Sequence, residues 1–147
     1  MRIREIGPGE TPLAFAAMRE LRTDLSDAKV PASHVDEEQR AEGYRLVGAF
    51  DDAPDAVAVA GFRVAHNLAW GRHVYVDDLS TLPAARRRGH ARALLDWLAD
   101  EARRLGCAEL HLDSGVGPQR ADAHRLYLNA GLTITSHHFS RPLPDPA

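Results

Sequence analysis

The chain has 147 residues, of which 44% are hydrophobic and 27% are charged, and its formal net charge is −3 at pH 7. This length and composition predict one globular domain over 1–147, and the negative balance argues against a general nucleic-acid surface. No apolar run approaches the roughly 18 residues of a membrane span, and the first residues lack the apolar core of a secretory signal. We therefore expect a cytoplasmic protein with no nucleic-acid or membrane partner.

The N-terminal half predicts a strand, two helices and an antiparallel strand pair. In chain order these are the strand Met1–Ile6, the helices Thr11–Leu25 and Ser33–Glu42, and the strands Tyr44–Phe50 and Ala56–Ala65. Thr11 and Ser33 are residue types that cap helix N-termini, and Gly43 can end the second helix.

The C-terminal half predicts two strand–helix units and a last strand. In order these are the loop His66–Arg72, the strand His73–Thr81, the helix Ala91–Leu105, the strand Cys107–Asp113, the helix Arg120–Ala130, the strand Leu132–Phe139 and an irregular tail, Arg141–Ala147. The strands on either side of the long helix should run parallel, whereas the N-terminal strands should pair antiparallel. The sequence therefore predicts an α/β (α+β) fold with a mixed sheet.

A basic loop between a strand and a helix is the strongest functional signal in the chain. It comprises Arg86, Arg87, Arg88, Gly89, His90 and Ala91. The first amides of a helix have no internal partner and attract anions, and a glycine lets the backbone approach a phosphate without a Cβ in the way. The loop therefore predicts a site for a phosphorylated cofactor, with a merely solvated basic turn as the alternative.

In this setting the loop resembles the GNAT superfamily of N-acetyltransferases, which use acetyl-CoA. The family's pyrophosphate signature is Gln or Arg, two residues, Gly, one residue, and Gly or Ala, and Arg86–Ala91 fits it. The later segment Tyr127–Leu132 resembles the family's Tyr-x-x-x-Gly-Phe. The resemblance covers essentially the whole chain. It implies a mostly antiparallel sheet with a central parallel β-α-β unit and helices on both faces.

The resemblance also implies roles in binding acetyl-CoA. The amides of Arg87 through Ala91 would bind the pyrophosphate, and the side chains of Arg86–Arg88 could reach the 3′-phosphate. The main chain of Thr81 would bond the pantetheine arm, and the amide of Leu79 would polarise the thioester carbonyl. Tyr127, also at the cofactor, would protonate the departing thiolate.

Asp77 is the predicted general base, because an amine must lose a proton to attack a thioester. It stands where some polyamine-type members carry Glu in a Tyr-x-Glu-Asp sequence, here residues 75–78. Strict strand alternation would place Tyr75, Asp77, Leu79 and Thr81 on one face and Asp78 on the other. The alternative is a pair of strand-end carboxylates bonded to neighbouring backbone.

Asn67, Trp70, Tyr75 and Asp77 are predicted to contact the acceptor, which in the family lies beside the first two helices. No histidine has the spacing of a metal ligand, so we expect no metal. The expected function is acetyl transfer from acetyl-CoA to a primary amine, by direct transfer in a ternary complex. We expect a small-molecule amine; a protein amine and a non-catalytic acyl-CoA sensor are the alternatives. The sequence leaves a homodimer open.

Overall fold

A five-stranded sheet in the order β1-β2-β3-β4-β5 is the frame of the first of two compact units, Met1–Leu112. Its strands are β1 (Arg2–Ile6), β2 (Arg45–Phe50), β3 (Ala58–Asn67), β4 (Gly71–Thr81) and β5 (Glu109–Leu112). The first three pairings are antiparallel, and β4 pairs parallel with β5. The computed structural model describes residues 1–26 and 29–146. It confirms the predicted mixed sheet.

The first predicted helix is shorter than expected. It begins as a 3-10 turn, Thr11–Ala14, and continues as α1 (Phe15–Arg19), so it ends well before Leu25. The residues that follow include Thr23, Asp24 and Ser26, whose side chains compete for backbone hydrogen bonds and favour turns. Leu25 instead forms an isolated bridge with Val30.

The second predicted helix is present as one helical stretch. It comprises α2 (Ala32–His34), a π turn (Val35–Gln39) and a 3-10 turn (Arg40–Glu42). Gly43 ends it with a φ of 95°, as predicted. The predicted cap is wrong, because Pro31 holds the N-cap position and Ser33 lies inside the helix.

The two faces of the sheet carry different cores. One face packs against the turn at 11–14, α1 and the 32–42 stretch; its buried residues include Ile6, Phe15, Met18, Leu46, Phe50 and Val59. The other is covered by α3 (His90–Arg104), which buries Leu94, Leu95, Leu98 and Ala102. The predicted helix Ala91–Leu105 and the placement of helices on both faces are confirmed.

The second unit, Asp113–Ala147, contains a 3-10 turn (Pro118–Arg120) and α4 (Ala121–Asn129). The predicted strand Leu132–Phe139 is wrong, since residues 132–146 have no regular secondary structure. A strand needs a partner for its backbone N–H and C=O groups, and the described residues of this unit form no other strand. Ile134 and Phe139 are accordingly exposed.

Within residues 1–26 and 29–146, no helix combines the length and the apolar character needed to cross a membrane.

Candidate active site

Strand β4 contains one extra residue, Asp77. Gly61 of β3 lies opposite Asp78, but the next residue, Phe62, lies opposite Val76. Asp77 therefore has no cross-strand partner on β3 and forms a β-bulge. A bulge breaks the simple alternation of side chains along a strand.

The bulge separates residues that alternation predicted to lie together. Tyr75 lies opposite Arg63, whereas Leu79 lies opposite Ala60 and Thr81 opposite Ala58. Arg63 is an odd number of residues from the other two, so it faces the opposite side of β3, and cross-strand partners share a face. The predicted common face for Tyr75, Leu79 and Thr81 is therefore wrong.

The bulge also brings the two adjacent carboxylates to one side of the sheet. Asp78 lies opposite Gly61, two residues from Arg63, and so shares the face of Arg63. Both carboxylate oxygens of Asp77 accept hydrogen bonds from Arg63, at 2.8 Å from Nε and 2.7 Å from Nη2. The prediction that Asp77 and Asp78 face opposite sides is wrong.

Asp78 is bound by two side chains of different character. The hydroxyl of Tyr44 donates to Oδ2 at 2.6 Å, and Nε of Arg22 donates to Oδ1 at 2.7 Å. Burial, followed by the charge of Asp78, raises the pKa of Tyr44 well above its usual range, so this hydroxyl keeps its proton and acts as a donor. Arg22 also donates to the backbone carbonyl of Asp77 at 3.0 Å.

Gly61 is the residue that allows Tyr44 to reach Asp78. A Cβ on Gly61 would lie 1.8 Å from the Tyr44 hydroxyl oxygen and 2.3 Å from ring atom Cζ. The Tyr44 side chain therefore lies directly over the backbone of β3 at Gly61. Any larger residue at 61 would push the ring away.

A cavity of about 480 Å³ lies on this face of the first unit. Its wall is mainly apolar and includes Phe15, Met18, Leu21, Leu25, Val35 and Leu46, while its polar lining includes Arg22, Tyr44 and Asp78. Of the described β4 residues, only Asp78 contributes to the wall. A volume of this size suits a small organic molecule. The cavity is therefore a pocket with a partly apolar wall that also contains two carboxylates, Asp78 and Asp24.

Asn67 and Trp70 lie at the tight turn between β3 and β4. Oδ1 of Asn67 accepts the Trp70 amide at 2.7 Å, and the Trp70 ring stacks on His111 with centroids 3.6 Å apart. Neither they nor Tyr75 belong to the cavity wall. Their contact with an acceptor stays a prediction.

Strand β4 leaves β5 just before the bulge. The parallel pairing ends at Val76 and Leu112, so β4 continues to Thr81 paired with β3 alone. The amide of Leu82 donates to the carbonyl of Val57, toward β3, at 2.8 Å. Backbone groups alternate in direction along a strand, so the amides at 79 and 81 point away from β3.

The basic loop adopts a conformation that requires its glycine. Gly89 has a φ of 86° and is the N-cap of α3. Arg87 has a φ of 62°, a region that non-glycine residues rarely enter. The first bond of α3 runs from the Ala93 amide to the Gly89 carbonyl at 3.0 Å. The side chains of Arg86–Arg88 are exposed.

His90 ties the start of α3 to the end of β2. Its ring is 2% exposed; Nδ1 lies 3.2 Å from the Ala85 carbonyl and Nε2 lies 3.0 Å from Oδ2 of Asp51. The bond from His90 is the main cause that lowers the pKa of Asp51. The His90 side chain thus points into the protein, and only its backbone remains as a candidate phosphate ligand.

Tyr127 lies on α4 in the second unit and is half-buried. Its carbonyl accepts the amides of Ala130 and Leu132 at 3.1 and 3.0 Å, around Gly131, whose φ is 91°. The spacing of Tyr127 and Gly131 therefore corresponds to a helix and its glycine-terminated end. The role of the hydroxyl stays a prediction.

Sequence reasoning missed the residues that hold the two carboxylates and the loop. They are Arg22, Tyr44, Asp51, Gly61 and Arg63. Each acts on a residue distant in the chain, and strand or helix periodicity gives no signal for such contacts. Gly61 alone carried a sequence signal, because a glycine inside a strand indicates a bulge or a close approach.

Comparison with known proteins assigns the family. The model of the Acetyltransferase (GNAT) family matches residues 15–132. The uncharacterized N-acetyltransferase YhdJ of Bacillus subtilis (strain 168) is 32% identical over 131 residues, which cover 88% of this chain and 89% of the relative.

Solved structures share the fold. An aminoglycoside N-acetyltransferase, AAC(6')-Iy, in complex with CoA has a TM-score of 0.81 and 18% identity, covering 97% of this chain and 93% of that one. A ribosomal-protein-alanine N-acetyltransferase from Brucella melitensis biovar Abortus has a TM-score of 0.79 and 21% identity, covering 97% and 100%. The chain therefore belongs to the GNAT family of acetyltransferases and is an N-acetyltransferase.

Proposed function

We propose that the protein transfers the acetyl group of acetyl-CoA to a primary amine of a small molecule, by direct transfer in a ternary complex. The observation that carries this proposal is the position of Asp78. It lies on the wall of the 480 Å³ cavity, one residue before the strand segment whose amides point away from β3. An acceptor in the cavity would thus meet a carboxylate beside a row of backbone donors.

The cofactor side of the proposal rests on the basic loop. The amides from Arg87 to Ala91 would bind the pyrophosphate at the N-terminus of α3, and the exposed guanidinium groups of Arg86–Arg88 would add positive charge. Gly89 is open on the side where a Cβ would project, since, its chain neighbours and the adjoining helix backbone aside, no atom of residues 1–26 and 29–146 lies within 4 Å of that position. The use of CoA by the similar aminoglycoside N-acetyltransferase supports this assignment.

The chemistry requires three proton transfers and one stabilised oxyanion. The acceptor ammonium loses one proton, its nitrogen then forms a bond to the thioester carbon, and the same nitrogen loses a second proton to water as the tetrahedral intermediate collapses to the amide. The Leu79 amide would hold the oxygen of the tetrahedral intermediate, and Thr81 would bind the pantetheine arm. As the C–S bond breaks, Tyr127 would give a proton to the CoA thiolate.

Asp78 is the carboxylate we assign to the acceptor ammonium, directly or through a water. Asp77 was the expectation from sequence, but both of its oxygens accept bonds from Arg63, whereas Asp78 faces the cavity. In this proposal Asp77 and Arg63 fix the bulge that aims Asp78. The partly buried carboxylate of Asp78 and the volume of the cavity favour a small cationic acceptor over a protein chain.

The test is release of CoA thiol from acetyl-CoA over a panel of small amines, with products identified by mass spectrometry. We expect acetylated product from at least one small amine bearing an apolar body. Thiol release only with peptides would favour a protein acceptor. Tight CoA binding without thiol release from any amine or peptide would favour a non-catalytic sensor.

A further inference from the structure

Arg22 forms an ion pair with Asp78 while its own side chain stays largely exposed to solvent. Its side chain is 54% exposed, whereas that of Asp78 is 13% exposed. It lies after the end of α1, where the backbone is neither helix nor strand, and it lines the cavity. Besides Oδ1 of Asp78, it bonds the Asp77 carbonyl at 3.0 Å. The Arg22 guanidinium therefore lies against Asp78, the charged residue that the described strands contribute to the cavity wall.

The two partners of Asp78 differ in how easily they can leave. Tyr44 is 7% exposed, and its ring lies over Gly61, so its hydroxyl is fixed on Oδ2. Arg22 can leave more easily, because its side chain is 54% exposed and water can solvate the released guanidinium. Removing Arg22 leaves Oδ1 with a vacant acceptor position that faces the cavity.

We propose that Arg22 takes the place of the acceptor ammonium, which must displace it from Oδ1 of Asp78 in order to bind. The inference rests on the proposed function in one respect, namely that this cavity holds the acceptor. Arg22 then sets how strongly the site favours a cation, and it keeps Asp78 paired when no acceptor is present. The expected ligand is a primary ammonium on an apolar chain, because Phe15, Met18 and Leu21 are among the apolar residues that line the same cavity.

The second carboxylate in the cavity wall does not offer the same site. Asp24 has a side-chain exposure of 72% and pairs with Lys29 at 3.4 Å. Its donor, Lys29, is as exposed as Asp24 itself, whereas Tyr44 is buried, and water screens the Asp24 pair. Cation selectivity should therefore depend on Asp78.

The experiment compares Arg22→Gln with the unaltered chain. The probes are n-pentylammonium, n-pentanol and pentanoate, and their dissociation constants are measured at neutral pH by protein-observed NMR without any CoA. We expect pentylammonium to bind about two- to fivefold more tightly to the variant, the factor that loss of an exposed competing ion pair allows. Pentanol, which has a similar shape and no charge, should show no change.

Two further variants complete the design. Arg103→Gln removes a more exposed arginine (73% against 54% for Arg22), which pairs with Asp100 and does not line the cavity, and should leave all three constants unchanged. Asp78→Asn should abolish the preference for pentylammonium over pentanol. If Arg22→Gln fails to fold, Arg22→Lys keeps the charge but loses the second bond to Asp77, and should give a smaller gain in the same direction.

The proposal is overturned by any of three results. The first is equally weaker binding of pentylammonium and pentanol to Arg22→Gln, which would mean that Arg22 only shapes the cavity wall. The second is weaker binding of pentanoate alone, which would mean that Arg22 binds anions. The third is no measurable binding of pentylammonium to either protein. None of these requires acetyl transfer. Failure of the proposed function would show separately, as absence of thiol release.

Discussion

The cofactor loop and the acceptor cavity are built in different ways within the same unit. The loop begins α3, a regular helix of 15 residues that part-buried side-chain contacts tie to β2 at both ends, through His90 with Asp51 and Glu101 with Arg45. The cavity is enclosed by short 3-10, α and π turns, and the exposed Arg22 closes onto its carboxylate. The contrast suggests a fixed cofactor grip beside a more adjustable acceptor wall.

The largest effect we expect comes from the thiolate's proton donor. Tyr127→Phe should lower turnover by about 10²-fold or more, the usual cost of losing a general acid, while CoA binding stays unchanged. Steady-state thiol release and CoA titration measure the two quantities. Unaltered turnover would remove Tyr127 from the reaction.

The anchoring of α3 can be broken by acid. Bonds from Arg104 and Arg45 lower the pKa of Glu101 from 4.5 to about 2. This contribution to the free energy of unfolding is complete above pH 4.5 and is lost as the pH falls toward about 2. It amounts to at most about 3 kcal/mol.

Glu101→Gln should therefore destabilise the protein at neutral pH. It should also flatten the pH dependence of the free energy of unfolding between about pH 5 and 2, the range in which the Glu101 carboxylate takes up its proton. Urea unfolding across this range measures both. Asp100→Asn is the matched control, since Asp100 lies on the same helix and also forms an ion pair, but its side chain is 80% exposed. Identical pH dependence in Glu101→Gln and the unaltered chain would contradict the anchoring role.

The packing of Tyr44 over β3 can be disrupted at Gly61. Gly61→Ala should destabilise the fold by about 1–3 kcal/mol, because the new Cβ would overlap the Tyr44 hydroxyl. Tyr44→Ala removes the obstacle, so the double variant should cost less than the sum of the single changes in urea unfolding. Additive costs would mean that Tyr44 does not lie over β3 in solution.

The smallest effect tests the loop itself with two glycines in the same conformation. Gly89 and Gly9 have φ values of 86° and 84°, and in the described part of the chain no atom beyond their sequence neighbours lies within 4 Å of a Cβ at either. Gly89→Ala and Gly9→Ala should therefore carry similar backbone strain. Only the first should weaken CoA binding, by about three- to tenfold, because a Cβ there would meet the phosphate. Equal CoA affinity in both variants would move the pyrophosphate away from Gly89.

The cofactor side could be predicted from sequence because its determinants are local. The helix, its glycine N-cap and the arginines follow one another in the chain, and the antiparallel pairings of β2 with β3 and of β3 with β4 follow from strand patterns and short links. The partner of His90 could not be predicted, since Asp51 lies 39 residues away and no periodicity connects them.

The acceptor side depends on contacts that periodicity does not encode. Alternation failed at Asp77 because the bulge adds a residue to β4, and it placed Asp78 on the wrong face. The first helix stopped early, in a segment rich in side chains that favour turns, and this shortening brought Arg22 to Asp78. The predicted last strand failed because strand propensity alone does not supply a pairing partner.

The central claim is that Asp78, and not its neighbour, meets the acceptor. The most direct measurement is the KM for the best amine of the panel in Asp78→Asn and Asp77→Asn, assayed side by side at saturating acetyl-CoA. The account predicts a KM about tenfold higher in Asp78→Asn than in Asp77→Asn, the effect of a lost charged hydrogen bond. A larger rise in Asp77→Asn, with Asp78→Asn near the unaltered enzyme, would contradict it.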